Sequence, residues 1–142
     1  MKPVYALFLI VMTCAGVQAQ QDILPVLLKM EQAMESGSYR KMLKLTDGAY
    51  REEQLENMLQ GNLQQFIDEL ISGYSQPDQT GAYLSVKLSD INKVSLSSVT
   101  DKSPGKEVVF RMQLSDGRIV WTVMLFVEDP ETRKWGAVGA YG

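Results

Sequence analysis

The sequence has 142 residues, of which 45% are hydrophobic and 22% are charged, and its formal net charge is −3. This length suits a single domain, and the acidic balance argues against a nucleic-acid-binding surface. Histidine is absent and cysteine occurs only as Cys14, which excludes imidazole catalysis, Ser–His and Cys–His nucleophiles, and the usual zinc sites.

The first 19 residues have the features of an export signal. Lys2 is followed by the apolar run from Val4 to Met12, and Val17-Gln18-Ala19 has the residue types that a signal peptidase accepts. We predict cleavage after Ala19. Residues 1–19 are then a signal peptide and residues 20–142 a single exported domain, periplasmic or secreted.

Two other interpretations of this segment are less favoured. The apolar run is shorter than the roughly 20 residues of a membrane span, so no transmembrane anchor is expected. Lipid attachment at Cys14 would make the protein a lipoprotein, but Thr13 stands where a small residue is usual. If Ala19 ends the signal peptide, Cys14 is removed and the mature domain contains no thiol.

Helical periodicity predicts three helices in the first half of the mature chain. The first covers Asp22 to Glu35, and Met30 and Met34 lie in its apolar stripe, where packing explains them better than a copper site. A short second helix follows the N-cap Ser38 and stops near Asp47-Gly48. A third and longer helix is predicted from Arg51 to Ser72.

Alternation of apolar and polar residues predicts strands in the second half. They centre on residues 84–88, 93–99, 108–114, 119–127 and 135–141. Asp116-Gly117 is a favoured hairpin dipeptide and should join two antiparallel strands. The segment from Ile119 to Val127 is apolar on both faces apart from Thr122, so we predict that it lies at the centre of the sheet. Gly136, Gly139 and Gly142 are interpreted as positions of close approach by another backbone or side chain.

This order of elements predicts an α+β fold, with three N-terminal helices packed on one face of a curved, mainly antiparallel sheet of about five strands. The helix break at Glu35-Ser36-Gly37-Ser38-Tyr39 and the strand meander with Trp121 and Trp135 resemble small secreted members of the NTF2-like (cystatin-like cone) superfamily. The resemblance implies a conical cavity between helices and sheet. It also implies dimerisation through the sheet.

Two groups of residues are candidates for function. The candidates for lining a cavity or binding a ligand are Tyr50, Tyr83, Arg111, Trp121, Trp135 and Tyr141. The candidates for an interface between two subunits are Val120, Met124 and Phe126, because helices can cover only one face of their strand. No residue is predicted to be catalytic, and no metal or cofactor is expected.

The leading hypothesis is an exported, non-catalytic domain that binds a partner protein, a second copy of itself, or a small apolar ligand. The alternative is an isomerase or dehydratase of small molecules that uses a tyrosine and a carboxylate without histidine. The alternative requires a tyrosine hydroxyl within hydrogen-bond reach of a carboxyl group in a closed pocket. It would lose its basis if Leu, Met and Phe side chains filled that space.

Overall fold

The computed structural model describes residues 22–57, 63–72 and 86–140. Tyr83 and Tyr141 lie outside these ranges, as do the predicted signal peptide and Gly142. In chain order the described elements are α1 (residues 22–36), α2 (Tyr39–Lys44), α3 (Gly48–Asn57), α4 (Leu63–Ser72), a 3₁₀ turn (Leu88–Asp90), β1 (Ile91–Lys102), β2 (Gly105–Leu114), β3 (Ile119–Glu128) and β4 (Trp135–Ala140). The α+β class is therefore confirmed.

The first two helices are confirmed close to their predicted positions. The chain reverses at Gly37, whose N–H donates to the Met34 carbonyl at 3.2 Å. The Ser38 hydroxyl then accepts a hydrogen bond from the Lys41 N–H at 3.3 Å. Ser38 therefore caps α2, as predicted. Met30 and Met34 are fully buried in the core, which agrees with a packing role.

The predicted third helix corresponds to α3 and α4, and α3 begins at Gly48, three residues earlier than expected. Residues 58–62 between the two helices lie outside the described residues. The Asp47 carboxylate accepts from the Tyr50 N–H at 3.2 Å, so Asp47 caps the start of α3. Across the described ranges, no helix has both the length and the apolar character needed to cross a membrane.

The sheet is an open antiparallel meander in the order β1-β2-β3-β4. The prediction of about five strands is wrong, because the first predicted strand is absent from the described residues. There, Val86 and Lys87 are irregular and Leu88–Asp90 forms a 3₁₀ turn. The Asp68 carboxylate and the Ser72 hydroxyl bond the backbone of Leu88 and Val86. This segment is thus tied to α4 rather than to the sheet.

The Asp116-Gly117 hairpin is confirmed, and the Leu114 N–H donates to the Arg118 carbonyl at 2.8 Å. The register of β2 with β3 follows from this turn, so Arg111 pairs with Trp121 and Met112 with Val120. β3 is an inner strand as predicted, and β2 is one as well.

The core lies between one face of the sheet and the helices. It contains the even-numbered apolar residues of β2 and β3 together with the apolar faces of α1 and α4. Thr122 is fully buried on this face, where its hydroxyl donates to the Ile71 carbonyl at 2.8 Å. The odd-numbered residues of β2 and β3 point away from the helices and form what we call the outer face of the sheet.

Both edges of the sheet are covered by other parts of the chain. On β1, the Val94 N–H donates to the Glu35 carboxylate at 2.9 Å, and the Leu96 N–H donates to the Glu31 carboxylate at 2.5 Å. On β4, residues 45–47 run alongside, and the Ala137 N–H and carbonyl bond Leu45 and Asp47 at 2.9 and 2.8 Å. Unpaired edges invite association with other strands, so these contacts protect the sheet.

Two glycines of β4 have the role that the sequence indicated. A Cβ atom on Gly136 would lie 2.7 Å from the Asp47 nitrogen, and one on Gly139 would lie 3.2 Å from the Tyr50 hydroxyl. Gly139 also has φ +133°, a conformation that side-chain-bearing residues rarely adopt. The small residues of β4 therefore allow α3 and the segment before it to pack closely against this edge.

Candidate functional site

The structure brings together two of the six predicted ligand-binding residues. Arg111 and Trp121 are direct cross-strand partners on the outer face, and both are exposed. Tyr50 and Trp135 pack instead against the helix-covered core. Tyr83 and Tyr141 lie outside the described residues. The predicted set thus does not converge on a single cavity within the described part of the chain.

The two tryptophans are far apart. Trp121 is near the start of β3, whereas Trp135 pairs with Glu128 at the other end of that strand. The two positions are seven residues apart along β3, which at roughly 3.3 Å per residue is about 23 Å. The tryptophans therefore do not form a common aromatic site.

The predicted interface residues lie on the face of β3 that the helices cover. Val120 is 4% exposed, and Met124 and Phe126 are fully buried in the core beneath the helices. A second subunit cannot reach these side chains unless the helices move away. Alternation in the sequence shows which residues share a face, but it does not show which face the helices cover.

The space between the helices and the sheet, where a conical cavity was expected, is filled by side chains. Its occupants include Phe110, Met112 and Met124 from the sheet and Met30 and Met42 from the helices, all fully buried. No buried side-chain nitrogen or oxygen of the described residues lacks a hydrogen-bond partner. The described interior therefore has the packing of a structural core.

One tyrosine contacts a carboxylate, as the enzymatic alternative required. The Tyr39 hydroxyl donates to Asp68 at 3.2 Å, and the same carboxylate accepts from the Leu88 N–H at 2.8 Å. Burial, followed by the negative charge of Asp68, raises the pKa of Tyr39 above 10.0. Tyr39 is thus harder to ionise than a free phenol, and the Asp68 carboxylate is already occupied by two donors. Together they join α2, α4 and the 3₁₀ turn.

Tyr50 provides a prediction about alkaline pH. Its ring centroid is 6.0 Å from that of Phe66, and burial, followed by the charges of Glu69 and Glu53, raises the pKa of Tyr50 above 10.0. The Tyr50 phenol ionises at a lower pH in the unfolded chain than in the folded protein. The stability that the neutral phenol contributes is therefore complete below about pH 10, and it declines as the pH rises through the pKa of Tyr50 in the folded protein. Tyr50→Phe should reduce this decline.

The measurement is the urea unfolding midpoint of the wild type and of Tyr50→Phe as the pH is raised from neutral to strongly alkaline values. The two proteins differ only at residue 50, so the difference between the curves isolates Tyr50. Parallel curves over the whole range would contradict the raised pKa.

The outer face carries the largest exposed apolar side chains of the sheet. Ile119 is 41% exposed and Trp121 is 37% exposed, whereas Leu125, farther along the same face of β3, is 4% exposed. The free apolar surface is thus concentrated at the Ile119 end, beside Arg111. We call the residues Val109, Arg111, Ile119, Trp121 and Val123 the outer patch.

Sequence reasoning selected Arg111 and Trp121 but missed the rest of the outer patch. The hairpin contains the information needed to find the other residues. Its Asp116-Gly117 turn sets the pairing of Arg111 with Trp121 and of Val109 with Val123. Combining that register with the period-two alternation would have placed all five residues on one face.

No protein-family model matches this chain, and neither the curated proteins nor the solved structures include one that is significantly similar to it. The described residues contain no group of three or more His, Cys, Asp or Glu side chains that could hold a metal ion.

Proposed function

We propose that this protein is an exported, non-catalytic binding domain that associates with a second copy of itself through the outer patch. The observation that carries this proposal is the position of Ile119 and Trp121, two large apolar side chains that are 41% and 37% exposed on the sheet face opposite the helices. Apolar side chains concentrated on one surface typically mark an interaction site.

The composition of the outer patch supports an interface with another protein. Tryptophan and arginine are the residues most enriched among those that dominate binding energy, and here Trp121 and Arg111 are cross-strand neighbours. Val109 and Val123 also pair with each other and are half-buried beside them. A two-fold contact would place this surface against its own copy, as symmetric dimers require.

The NTF2-like relationship also belongs to this proposal. It is supported by the order of elements, with helices first, and by the packing of those helices on one face of an antiparallel meander. Dimerisation through the sheet is what the resemblance implies. The outer patch supplies a sheet face for it that does not disturb the core.

The enzymatic alternative has less support. It required a closed pocket with a tyrosine and a carboxyl group, and the corresponding space holds Phe110 and Met112 among other apolar side chains. The Tyr39–Asp68 pair has a structural explanation in its bond to the Leu88 backbone. A small apolar ligand in that same space is disfavoured for the same reason.

Sedimentation of the exported protein over a range of concentrations tests the proposal. Trp121→Glu should weaken self-association at least tenfold, because it places a charge at the centre of a desolvated contact. The matched control is Leu28→Glu, an apolar-to-acidic change at a residue of α1 that is 55% exposed, and it should leave association unchanged. A wild type that remains monomeric at the highest concentrations contradicts the proposal, as does equal weakening by both substitutions.

A further inference from the structure

A surface pocket of about 430 Å³ lies on the helical side of the molecule, between α1 and α2. It is lined by Lys29, Gln32 and Ala33 from α1 and by Lys41, Lys44 and Leu45 from the α2 segment. The chain reversal at Gly37 brings these two sets of side chains together, because α2 turns back along α1 from that point. We call this the lysine pocket.

The lysine pocket is positively charged in a protein whose net charge is negative. Three of its six lining residues are lysines and none is acidic. The four ion pairs between described residues involve other cations, namely Lys102, Lys106, Arg118 and Arg133. The three lysines of the pocket thus have no ion-pair partner among the described residues.

Two of the three acidic residues of α1 are held elsewhere. Glu31 and Glu35 accept hydrogen bonds from the backbone of β1, on a different side of the helix from Lys29. Their negative charge is thus directed at the sheet edge and not at the pocket. A concave surface lined by charges of one sign concentrates counter-ions, so this division of charges along α1 favours an anion in the pocket.

The rest of the lining limits the kind of anion. The half-buried Leu45 provides apolar surface, and the Gln32 amide can donate or accept a hydrogen bond. The volume is within the range of small-molecule sites, about 300–1,000 Å³. These features fit a small organic anion with a phosphate or carboxylate group and a compact apolar body.

We propose that the lysine pocket binds such a small organic anion, with the ammonium groups of Lys29, Lys41 and Lys44 contacting its charged group and Leu45 its apolar part. This site is separate from the outer patch, which is on the opposite side of the sheet. Binding in the lysine pocket therefore neither requires nor predicts self-association.

Isothermal titration calorimetry at low ionic strength tests this proposal with three probes. Phenyl phosphate and benzoate each combine an apolar ring with an anionic group, and inorganic phosphate lacks the ring. Phenyl phosphate should bind most tightly, and added salt should weaken its binding. Equal affinity for phenyl phosphate and inorganic phosphate would contradict the role of Leu45. Failure of all three probes to bind would overturn the site.

Two substitutions test whether the anion binds in the lysine pocket. Lys44→Gln should weaken the binding of phenyl phosphate roughly tenfold, because it removes one charge-assisted hydrogen bond. Lys93→Gln is the matched control, since Lys93 is an exposed lysine of β1 outside the pocket, and it should change the affinity by less than about twofold. Circular dichroism confirms that both variants fold. Equal weakening by both would show general charge attraction only and would overturn the proposal.

Discussion

Replacing Phe126 by Ala should lower the free energy of unfolding by about 3–5 kcal/mol, enough to unfold much of a domain of ordinary stability. Phe126 is fully buried and belongs to the core beneath the helices. Its removal exchanges a large apolar side chain for a cavity, and close-packed neighbours relax only partly into such a space. Urea denaturation followed by far-ultraviolet circular dichroism measures the loss.

Trp121→Ala on the same strand is the control for this prediction. Trp121 is 37% exposed on the outer face, so its truncation removes less buried surface and should cost clearly less stability than Phe126→Ala. Self-association should respond in the opposite order, with the larger loss in Trp121→Ala. A stable Phe126→Ala protein that fails to associate would mean that β3 presents its even-numbered residues to a partner, contrary to the structure.

Removing the carboxylates that bond the edge of β1 should have the second large effect. In the double variant Glu31→Ala and Glu35→Ala, the Leu96 and Val94 N–H groups lose their acceptors on α1. We expect a loss of about 2–4 kcal/mol, since each is a hydrogen bond to a charged group in a partly exposed position. The bare edge should also promote aggregation.

Thermal unfolding and light scattering of the double variant test both parts of this expectation. Glu52→Ala with Glu53→Ala is the matched control, because those two glutamates are exposed on α3 and the change in charge is the same. The control should remain close to the wild type in stability and in scattering. If the two double variants behave alike, then the contacts between α1 and β1 contribute little to the fold.

Local patterns in the sequence were sufficient for much of the secondary structure. The first helix, the cap at Ser38 and the hairpin at Asp116-Gly117 each depend on residues close in the chain. The failed strand around residues 84–88 depends on a distant element. Asp68 and Ser72 of α4 bond its backbone, and alternation contains no information about such contacts.

The two candidate sites also differ in how far the sequence could predict them. Alternation and the hairpin register were enough to place Arg111 with Trp121, because both follow from the geometry of one turn and two adjacent strands. The lysine pocket had no comparable signal, since its residues come from two helices whose relative position is set by the turn at Gly37 and by the packing of both against the core.

By itself the sequence determined the α+β class, most helix and strand positions, and which side chains of β2 and β3 share a face. Only the tertiary structure decided that Val120, Met124 and Phe126 face the helices while Ile119 and Trp121 remain exposed. That choice depends on contacts between distant residues, such as Glu35 with Val94 and Glu31 with Leu96, which are 59 and 65 positions apart. A strand has two equivalent faces until a helix packs on one of them, and the outer patch is the face that was left uncovered.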